Sequence, residues 1–211
     1  MTNNIFIAMY SILIIIGFFS NITIIIVYVT KQVLATTQNL LIVNLAISDL
    51  LLCTLTMPMN IVELVNFYFP FPLEDKMAME IGCKLVGSAQ STVVIFSSIS
   101  VVLIAVDRYI FILKGHQGRD LGPKQISPRC AGFLSFFGFL ISALLCYPVF
   151  NATHIATEVD EDTGEAKSFC YENWGKENVL WRQAYNIFCF VAQLLVPSIV
   201  VAVLYYRLAL Q

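Results

Sequence analysis

Residues 104–115, IAVDRYIFILKG, place an acidic and a basic residue side by side after a long uncharged stretch. The 22 residues between Lys84 and Asp107 carry no charge, and Arg108 and Tyr109 follow Asp107 directly. A carboxylate beside a guanidinium can form a charge-assisted ion pair, and the arginine can exchange that partner for another one. Taken alone, the pair also fits an interfacial ion pair at the end of an apolar helix, so an exchangeable pair and a simple interfacial pair both stay open.

Asp49 is the second unusual charge, because it is the only charged residue among residues 32–62. A carboxylate in the middle of a membrane helix costs about 2.5–3.5 kcal/mol on insertion scales, so it is expected to face the interior of a helical bundle. Such a residue indicates an ion site, a proton site or a polar network. The polar residues expected at similar depth either belong to that network or join helices by hydrogen bonds; they are Asn21, Asn44, Ser48, Ser97 and Ser98.

The elements that must position these groups are apolar helices long enough to cross a bilayer. Of the 211 residues, 58% are hydrophobic and 12% are charged, whereas about a quarter of the residues of a soluble domain are charged. Runs of about 20 apolar residues predict transmembrane helices, and barrel strands would be shorter and would alternate. We predict an all-α membrane protein with five spans, at about 5–29, 39–64, 84–113, 131–150 and 183–208. The first run lacks the basic start and the cleavage site of a signal peptide, so we interpret it as a retained span.

The charges between the spans predict the orientation. With the amino terminus outside, seven basic residues lie on the inner side and five on the outer side, which favours this orientation. Eleven acidic residues then lie outside and leave that face near −6. Asn151 begins an Asn-Ala-Thr sequon just beyond the fourth span, on the outer side, where glycosylation is expected.

Two of the six cysteines, Cys83 and Cys170, are expected on the oxidising outer side. A disulfide between them is the simplest interpretation, and two free thiols are the alternative. Pro58, Pro148 and Pro197 lie in or near the outer halves of the second, fourth and fifth spans, where missing N–H donors are expected to bend the helices and to shape an outer cavity. The sequence has neither an HExxH nor a GxSxG motif and no glycine-rich phosphate loop, so we do not expect an enzyme.

These features, in this order, resemble the rhodopsin-like class of G protein-coupled receptors over the whole chain. The residues that carry the resemblance are Asn21, the segment NLAISDLLL with Asp49, the pair Cys83 and Cys170, the triplet Asp107-Arg108-Tyr109, and Pro197 with Tyr205 two turns later. The tryptophan usual in the middle of the fourth span is absent, and FFGFL stands there. The resemblance implies a rhodopsin-like bundle of which this chain holds five of the seven helices.

The resemblance also implies roles for these residues. Asp49, with Ser97 and Asn21, would form the sodium pocket, so an allosteric sodium ion is the one cofactor that we expect. Asp107, Arg108, Tyr109, Pro197 and Tyr205 would form the switch that couples to a heterotrimeric G protein, with Asp107 holding Arg108 in the resting state. A plasma-membrane location in the lipid bilayer follows, and no nucleic-acid partner is predicted.

Gln90, two turns below Cys83, and the outer segment FCYENW resemble peptide receptors of the neuropeptide Y, RFamide and tachykinin groups. By that resemblance Gln90 would contact the amidated end of a peptide, since its side chain both donates and accepts hydrogen bonds. A hydrogen bond between two helices is the alternative for Gln90. An acidic outer face would attract a basic peptide. The further residues that we expect to bind ligand are Asn60, Glu63 and Glu172.

Two other hypotheses stay open from the sequence. A transporter or channel subunit, with Asp49 as its ion site, would carry internal repeats or pairs of broken helices, and none are visible. A five-span fragment or splice product is also expected to lack signalling of its own, because the sixth and seventh spans of the class are not in the chain.

Overall fold

The computed structural model describes residues 2–30, 36–64, 76–116, 127–159, 166–175 and 179–210. Five long helical segments make up most of these residues, and three of them are interrupted. The helices are α1 (Thr2–Thr30), α2 (Thr37–Leu51), α3 (Met57–Leu64), α4 (Lys76–His116), α5 (Pro128–Leu145), α6 (Tyr147–Ala152), α7 (Val179–Phe190) and α8 (Val196–Ala209). Single π-helical turns at Leu52–Thr56 and Val191–Leu195 join α2 to α3 and α7 to α8.

Five segments of the described chain are long and apolar enough to cross a membrane. They are Asn3–Thr30, Thr37–Val62, Lys76–Ile112, Pro128–Ala152 and Val179–Ala209, and we refer to them as the first to fifth spans. The prediction of an all-α helical bundle with five apolar spans is confirmed. Helix α4, which forms the third span, begins at Lys76. The sequence predicted that this span begins at about residue 84. The 41 residues of α4 extend over about 60 Å, roughly twice the thickness of the hydrocarbon core.

The starts of the second and fourth spans follow from local capping. Thr36 and Ser127 have extended backbones, and their hydroxyls accept hydrogen bonds from the N–H groups of Asn39 and Cys130, each at 3.3 Å. Pro128 occupies the first turn of α5, where its missing N–H removes no intrahelical bond. These polar caps set where the apolar helices begin.

Helix α4 is the centre of the bundle, since α2, α5, α6 and α8 all contact it. Small residues fill the interfaces around it, which lets the helix backbones approach closely. The buried small residues include Ala46, Ser48, Ala105, Ala131, Ser135 and Ser142. Most large apolar side chains of α1, α5 and α8 are exposed, as expected for surfaces that face lipid tails.

The first span packs closely on the second at Gly17. A Cβ atom added there would lie 2.5 Å from Cys53 Sγ. Cys53 lies in the π-helical turn and is 5% exposed. A larger residue at position 17 would therefore have to displace the Cys53 thiol where α1 crosses this turn.

A β-hairpin follows the fourth span. Strands β1 (Thr153–Val159) and β2 (Ala166–Glu172) pair antiparallel, with Ile155 opposite Cys170. A disulfide joins Cys170 to Cys83 near the start of α4, which confirms the predicted pairing and rules out two free thiols. The Asn173 N–H donates to the Ala152 carbonyl at 2.6 Å and closes the base of the hairpin. The acidic residues 160–165 of its tip lie outside the described residues.

Candidate functional site

A polar cavity of about 500 Å³ lies between the second, third and fifth spans and the hairpin. The Cys83–Cys170 disulfide forms part of its wall, and Gln90 lies deeper along α4. Glu172 at the end of β2 and Arg182 in the first turns of α7 also line it. Volumes of 300–1,000 Å³ with a few polar groups are typical of ligand sites, so this cavity is the candidate binding site.

Gln90, which lines this cavity, is joined to the second span by a hydrogen bond. Its Nε2 donates a hydrogen bond to Asn60 Oδ1 at 3.2 Å. The structure thus brings together two residues that were predicted to bind ligand. It also shows that the alternative role, a hydrogen bond between helices, is fulfilled by the same amide. The ligand-binding role stays a prediction.

The carboxylate of Glu172 is held by a chain of contacts that ends in the fourth span. Trp174 donates from Nε1 to Glu172 Oε2 at 2.9 Å, and its ring lies 5.3 Å from the ring of Tyr185. Tyr185 in turn donates its hydroxyl to the Leu145 carbonyl at 3.0 Å. The acid at the rim therefore takes its position from aromatic packing between the hairpin and the fifth span.

Glu172 and Arg182 carry opposite charges on one cavity, and both side chains are exposed. The described residues form ion contacts within 4.0 Å only at Glu80, whose carboxylate lies 2.7 Å from Lys84 and 3.5 Å from His154. The cavity thus presents a carboxylate and a guanidinium that are not paired with each other. Both charges are available to a ligand.

Glu63 was also predicted to bind ligand. It lies in the last turns of α3, and its side chain is outside the described part of the structure. Its role stays a prediction.

Asp49 lies in α2, and its partly buried carboxylate faces the third span. Ser97 of α4 donates its hydroxyl to Asp49 Oδ1 at 3.1 Å. Asn21 instead donates to the carbonyl of Gly17 in its own helix at 2.9 Å. The structure therefore brings together two of the three residues predicted for the sodium pocket, and the described hydrogen bond of the Asn21 amide stays within α1.

Asn44 and Ser48 take structural positions beside this pair. Asn44 Nδ2 donates to Ser135 Oγ of α5 at 2.8 Å, and the Ser48 hydroxyl donates to the Asn44 carbonyl at 3.0 Å. A polar side-chain bond thus ties the second span to the fourth at Ser135, directly before the FFGFL segment. Phe139 of that segment contacts Phe96 edge-to-face, with ring centroids 5.7 Å apart.

At the opposite end of α4 from the cavity, Asp107 is 2% exposed and its Oδ1 has no hydrogen-bond partner among the described residues. Arg108 and Tyr109 are only partly buried. An ion pair of Asp107 with Arg108 within 4.0 Å is not among the described contacts. The role of the triplet as a switch stays a prediction.

Pro197 explains a contact between the third and fifth spans. Because proline has no N–H, the carbonyl four residues earlier, that of Gln193, has no α-helical donor. Ser98 of α4 lies 3.0 Å from this carbonyl and 3.1 Å from its own Val94 carbonyl, so its one proton is shared between the two. Tyr205, predicted to belong to the switch, is 53% exposed in α8.

Asn151 is exposed at the end of α6, as a glycosylation site requires, but the threonine of its sequon is not. Thr153 is 4% exposed and donates its hydroxyl to the Val149 carbonyl at 2.8 Å. Glycosylation of Asn151 stays a prediction.

Sequence reasoning missed several residues of the cavity. Arg182 was counted only among the five outer basic residues, Thr153 only within the sequon and Tyr171 only within FCYENW, and Ser91 had no assigned role. Arg182 carries a readable signal, since it is the last charge before the uncharged run 183–206. The π-helical turns before Pro58 and Pro197 were also missed, although the prolines indicated bends there.

Comparison with known proteins identifies the family of this fold. The sequence profile described as "7 transmembrane receptor (rhodopsin family)" matches residues 20–211. This match does not favour the transporter or channel alternative.

Individual relatives agree with this match. The neuropeptide F receptor of Drosophila melanogaster is 31% identical over 95% of this chain and 40% of its own length. The neuropeptide receptor npr-1 of Caenorhabditis elegans is 30% identical, with the same two coverages. The neuropeptide Y receptor type 6 of Mus musculus is 28% identical over 95% of this chain and 52% of its own length. The chain spans about 40% of the length of the first two relatives. With its five apolar spans and its tethered hairpin, this chain belongs to the rhodopsin family of seven-transmembrane receptors.

Proposed function

We propose that this protein acts as a receptor for an extracellular neuropeptide, basic and amidated, and passes the binding signal to a heterotrimeric G protein. The observation that carries the proposal is the cavity that Gln90, Glu172 and Arg182 all line beside a disulfide-tethered hairpin. An amide, an acid and a base in one cavity suit a peptide end that offers an amide, a cation and carbonyl groups. The relatives named as neuropeptide receptors support the ligand class.

The mechanism is conformational, without an enzymatic step. The peptide binds among the helix ends near the hairpin, and the opposite helix ends separate to admit the G protein, where Arg108 changes partners. An agonist drives this change only if it binds the active arrangement more tightly than the resting one.

The direct test is a chimera in which these 211 residues are followed by the remaining carboxyl-terminal part of the Drosophila neuropeptide F receptor. G protein activation is measured against a panel of amidated basic peptides, their free-acid forms and biogenic amines. A saturable response to an amidated peptide is expected. A chimera that reaches the cell surface and responds only to amines would contradict the proposal.

The proposed location is the plasma membrane, with the amino terminus, the hairpin and the cavity on the extracellular side. The charge distribution between the spans supports this orientation. An epitope tag placed before Thr2 should bind antibody on intact cells. Labelling that requires permeabilisation would contradict the orientation.

The proposed allosteric ion is sodium, held by the Asp49 carboxylate and the Ser97 hydroxyl. The two oxygen atoms lie on adjacent spans, 3.1 Å apart, and suit a hard cation. Binding of this ion would favour the resting arrangement.

Sodium chloride should therefore raise the thermal unfolding temperature of the purified chain more than choline chloride does at equal ionic strength. Asp49→Asn should abolish this difference, because the amide carries no charge. An equal effect of both salts on the unmodified chain would argue against the ion site.

A further inference from the structure

A second cavity, with an almost wholly apolar lining, lies between the second and third spans. This groove has a volume of about 330 Å³. Leu55 and Leu85 flank its mouth, with 50% and 56% of their surfaces exposed, and Ala89 between them is also exposed. Val93 and Thr56 lie deeper and are nearly buried, at 7% and 8%. The groove therefore opens outward from the bundle and narrows towards its interior.

The π-helical turn at Leu52–Thr56 and Pro58 explain why space remains there. A π turn contains an extra residue, so the helix after it is rotated relative to the helix before it. Side chains of α2 and α3 then no longer form one continuous ridge against α4. Such turns occur frequently at functional sites.

Two polar side chains of the groove have hydrogen-bond partners within the protein. The Thr54 hydroxyl donates to the Leu50 carbonyl at 2.7 Å, and Gln90 Nε2 donates to Asn60 Oδ1 at 3.2 Å. The described residues that line the groove include no charged side chain and are mostly apolar, so an occupant needs no charge there. A plain hydrocarbon chain fits this chemistry better than a ligand with a polar group at this depth.

We propose that the groove binds one acyl chain of a phospholipid, taken from the membrane leaflet on the hairpin side. Its mouth is formed by the Thr37–Val62 and Lys76–Ile112 spans, so the medium at the mouth is the acyl region of the bilayer. Its volume lies at the lower end of the range for ligand sites. The headgroup extends towards the interface, beyond the apolar walls.

The groove shares a wall with the polar cavity. Met59, Val86 and Gln90 line both of them, so one layer of side chains separates the acyl chain from the proposed peptide site. An acyl chain packed behind Gln90 restricts the movement of its amide and makes the lipid a modulator of peptide binding. This last step rests on the proposed function, whereas the binding of lipid does not.

The test uses the purified chain in detergent micelles with ¹³C-methyl-labelled methionine. A phosphatidylcholine with a nitroxide on its acyl chain is titrated in, and paramagnetic broadening of the Met59 methyl signal is followed. Met9 of the first span, 54% exposed and not part of the described lining of this groove, is the internal control. Broadening at Met59 should saturate at low lipid content, whereas broadening at Met9 should rise in proportion to it.

Ala89→Phe fills the mouth and should remove the saturable broadening at Met59 without changing Met9. Leu55→Phe, from the opposite wall, gives the same test if the first variant does not fold. Parallel, unsaturated broadening of both methionines in the unmodified chain would overturn the proposal. Displacement of the label by cholesterol but not by unlabelled phosphatidylcholine would overturn the acyl-chain assignment. Because no peptide is present, this result is independent of the proposed receptor activity.

Discussion

Gln90 shows how one side chain can serve two predicted roles. Its amide nitrogen donates to Asn60, which links the second and third spans. Its carbonyl oxygen can accept a hydrogen bond from the N–H₂ group of an amidated peptide. The two interpretations that the sequence left open are therefore compatible in this geometry.

Gln90→Ala in the chimera should lower the potency of amidated peptides about tenfold, the effect of losing roughly 1.4 kcal/mol of hydrogen bonding. Free-acid peptides should lose less, since their ends lack the donor. Concentration–response curves for matched peptide pairs measure this difference. Ser88→Ala is the control, because that hydroxyl bonds only to carbonyls of its own helix. An equal loss for both peptide forms would indicate that the bond to Asn60 is the main role.

Glu172 is positioned for a cationic group by the Trp174 N–H. Glu172→Gln removes the charge but keeps an oxygen that can accept from Trp174, so the hairpin should fold normally. The affinity for basic peptides should fall about two- to fivefold, the range expected for exposed ion pairs. Radioligand competition with arginine- and citrulline-containing peptides measures the effect. Glu80→Gln, at a carboxylate outside the cavity lining, should change the affinity for neither the arginine- nor the citrulline-containing peptides. A similar loss in this variant would indicate that the overall negative charge of the outer face attracts the peptide.

At the scale of elements, prolines and π turns decide where the helices can contact one another. Pro197 leaves the Gln193 carbonyl without its helical donor, and Ser98 supplies a hydroxyl from the next helix. Pro58 similarly follows a π turn at which α1 approaches α2 at Gly17. Each interruption weakens one helix locally and supplies a contact between two helices.

Ser98→Ala should lower the free energy of unfolding by about 0.6–1.5 kcal/mol, because the Gln193 carbonyl loses its donor. Pro197→Ala restores an N–H at this position, so the same serine substitution should cost little in that background. Thermal unfolding of the four proteins of this double-mutant cycle measures the coupling. Additive effects would show that Ser98 bonds mainly to its own Val94 carbonyl.

At the scale of the whole molecule, the disulfide fixes one end of the cavity. It connects residues 87 positions apart and holds the hairpin against the start of α4. The two-stranded sheet also contacts the bundle through Thr153 beside Gly87 and His154 beside Glu80. The disulfide adds a covalent link to these contacts of the cavity wall.

Cys83→Ser combined with Cys170→Ser should destabilise the hairpin by about 2–5 kcal/mol. Limited proteolysis of the purified chain should then cleave residues 153–172 faster, and peptide affinity in the chimera should fall. Cys189→Ser, at a partly buried free cysteine of the fifth span, is the control. Unchanged cleavage would mean that strand pairing and helix contacts hold the hairpin without the disulfide.

The sequence by itself determined the membrane class and the five apolar spans, and it favoured the pairing of Cys83 with Cys170 that the structure confirmed. These properties depend on the local length of uncharged runs and on which side of the membrane a residue lies, and both can be read along the chain. The motifs at Asp49 and Asp107 likewise indicated the family, because they occupy fixed places within single helices.

Only the tertiary structure decided which side chains meet. The joining of Gln90 to Asn60, the support of Glu172 by Trp174 and Tyr185, and the presence of Arg182 on the same cavity depend on how separate helices rotate against one another. The π turns change that rotation by part of a turn, and a hydrophobic pattern this uniform contains no period that reveals it. The structure also showed that the Asn21 amide bonds within its own helix and that an apolar groove lies beside Gln90.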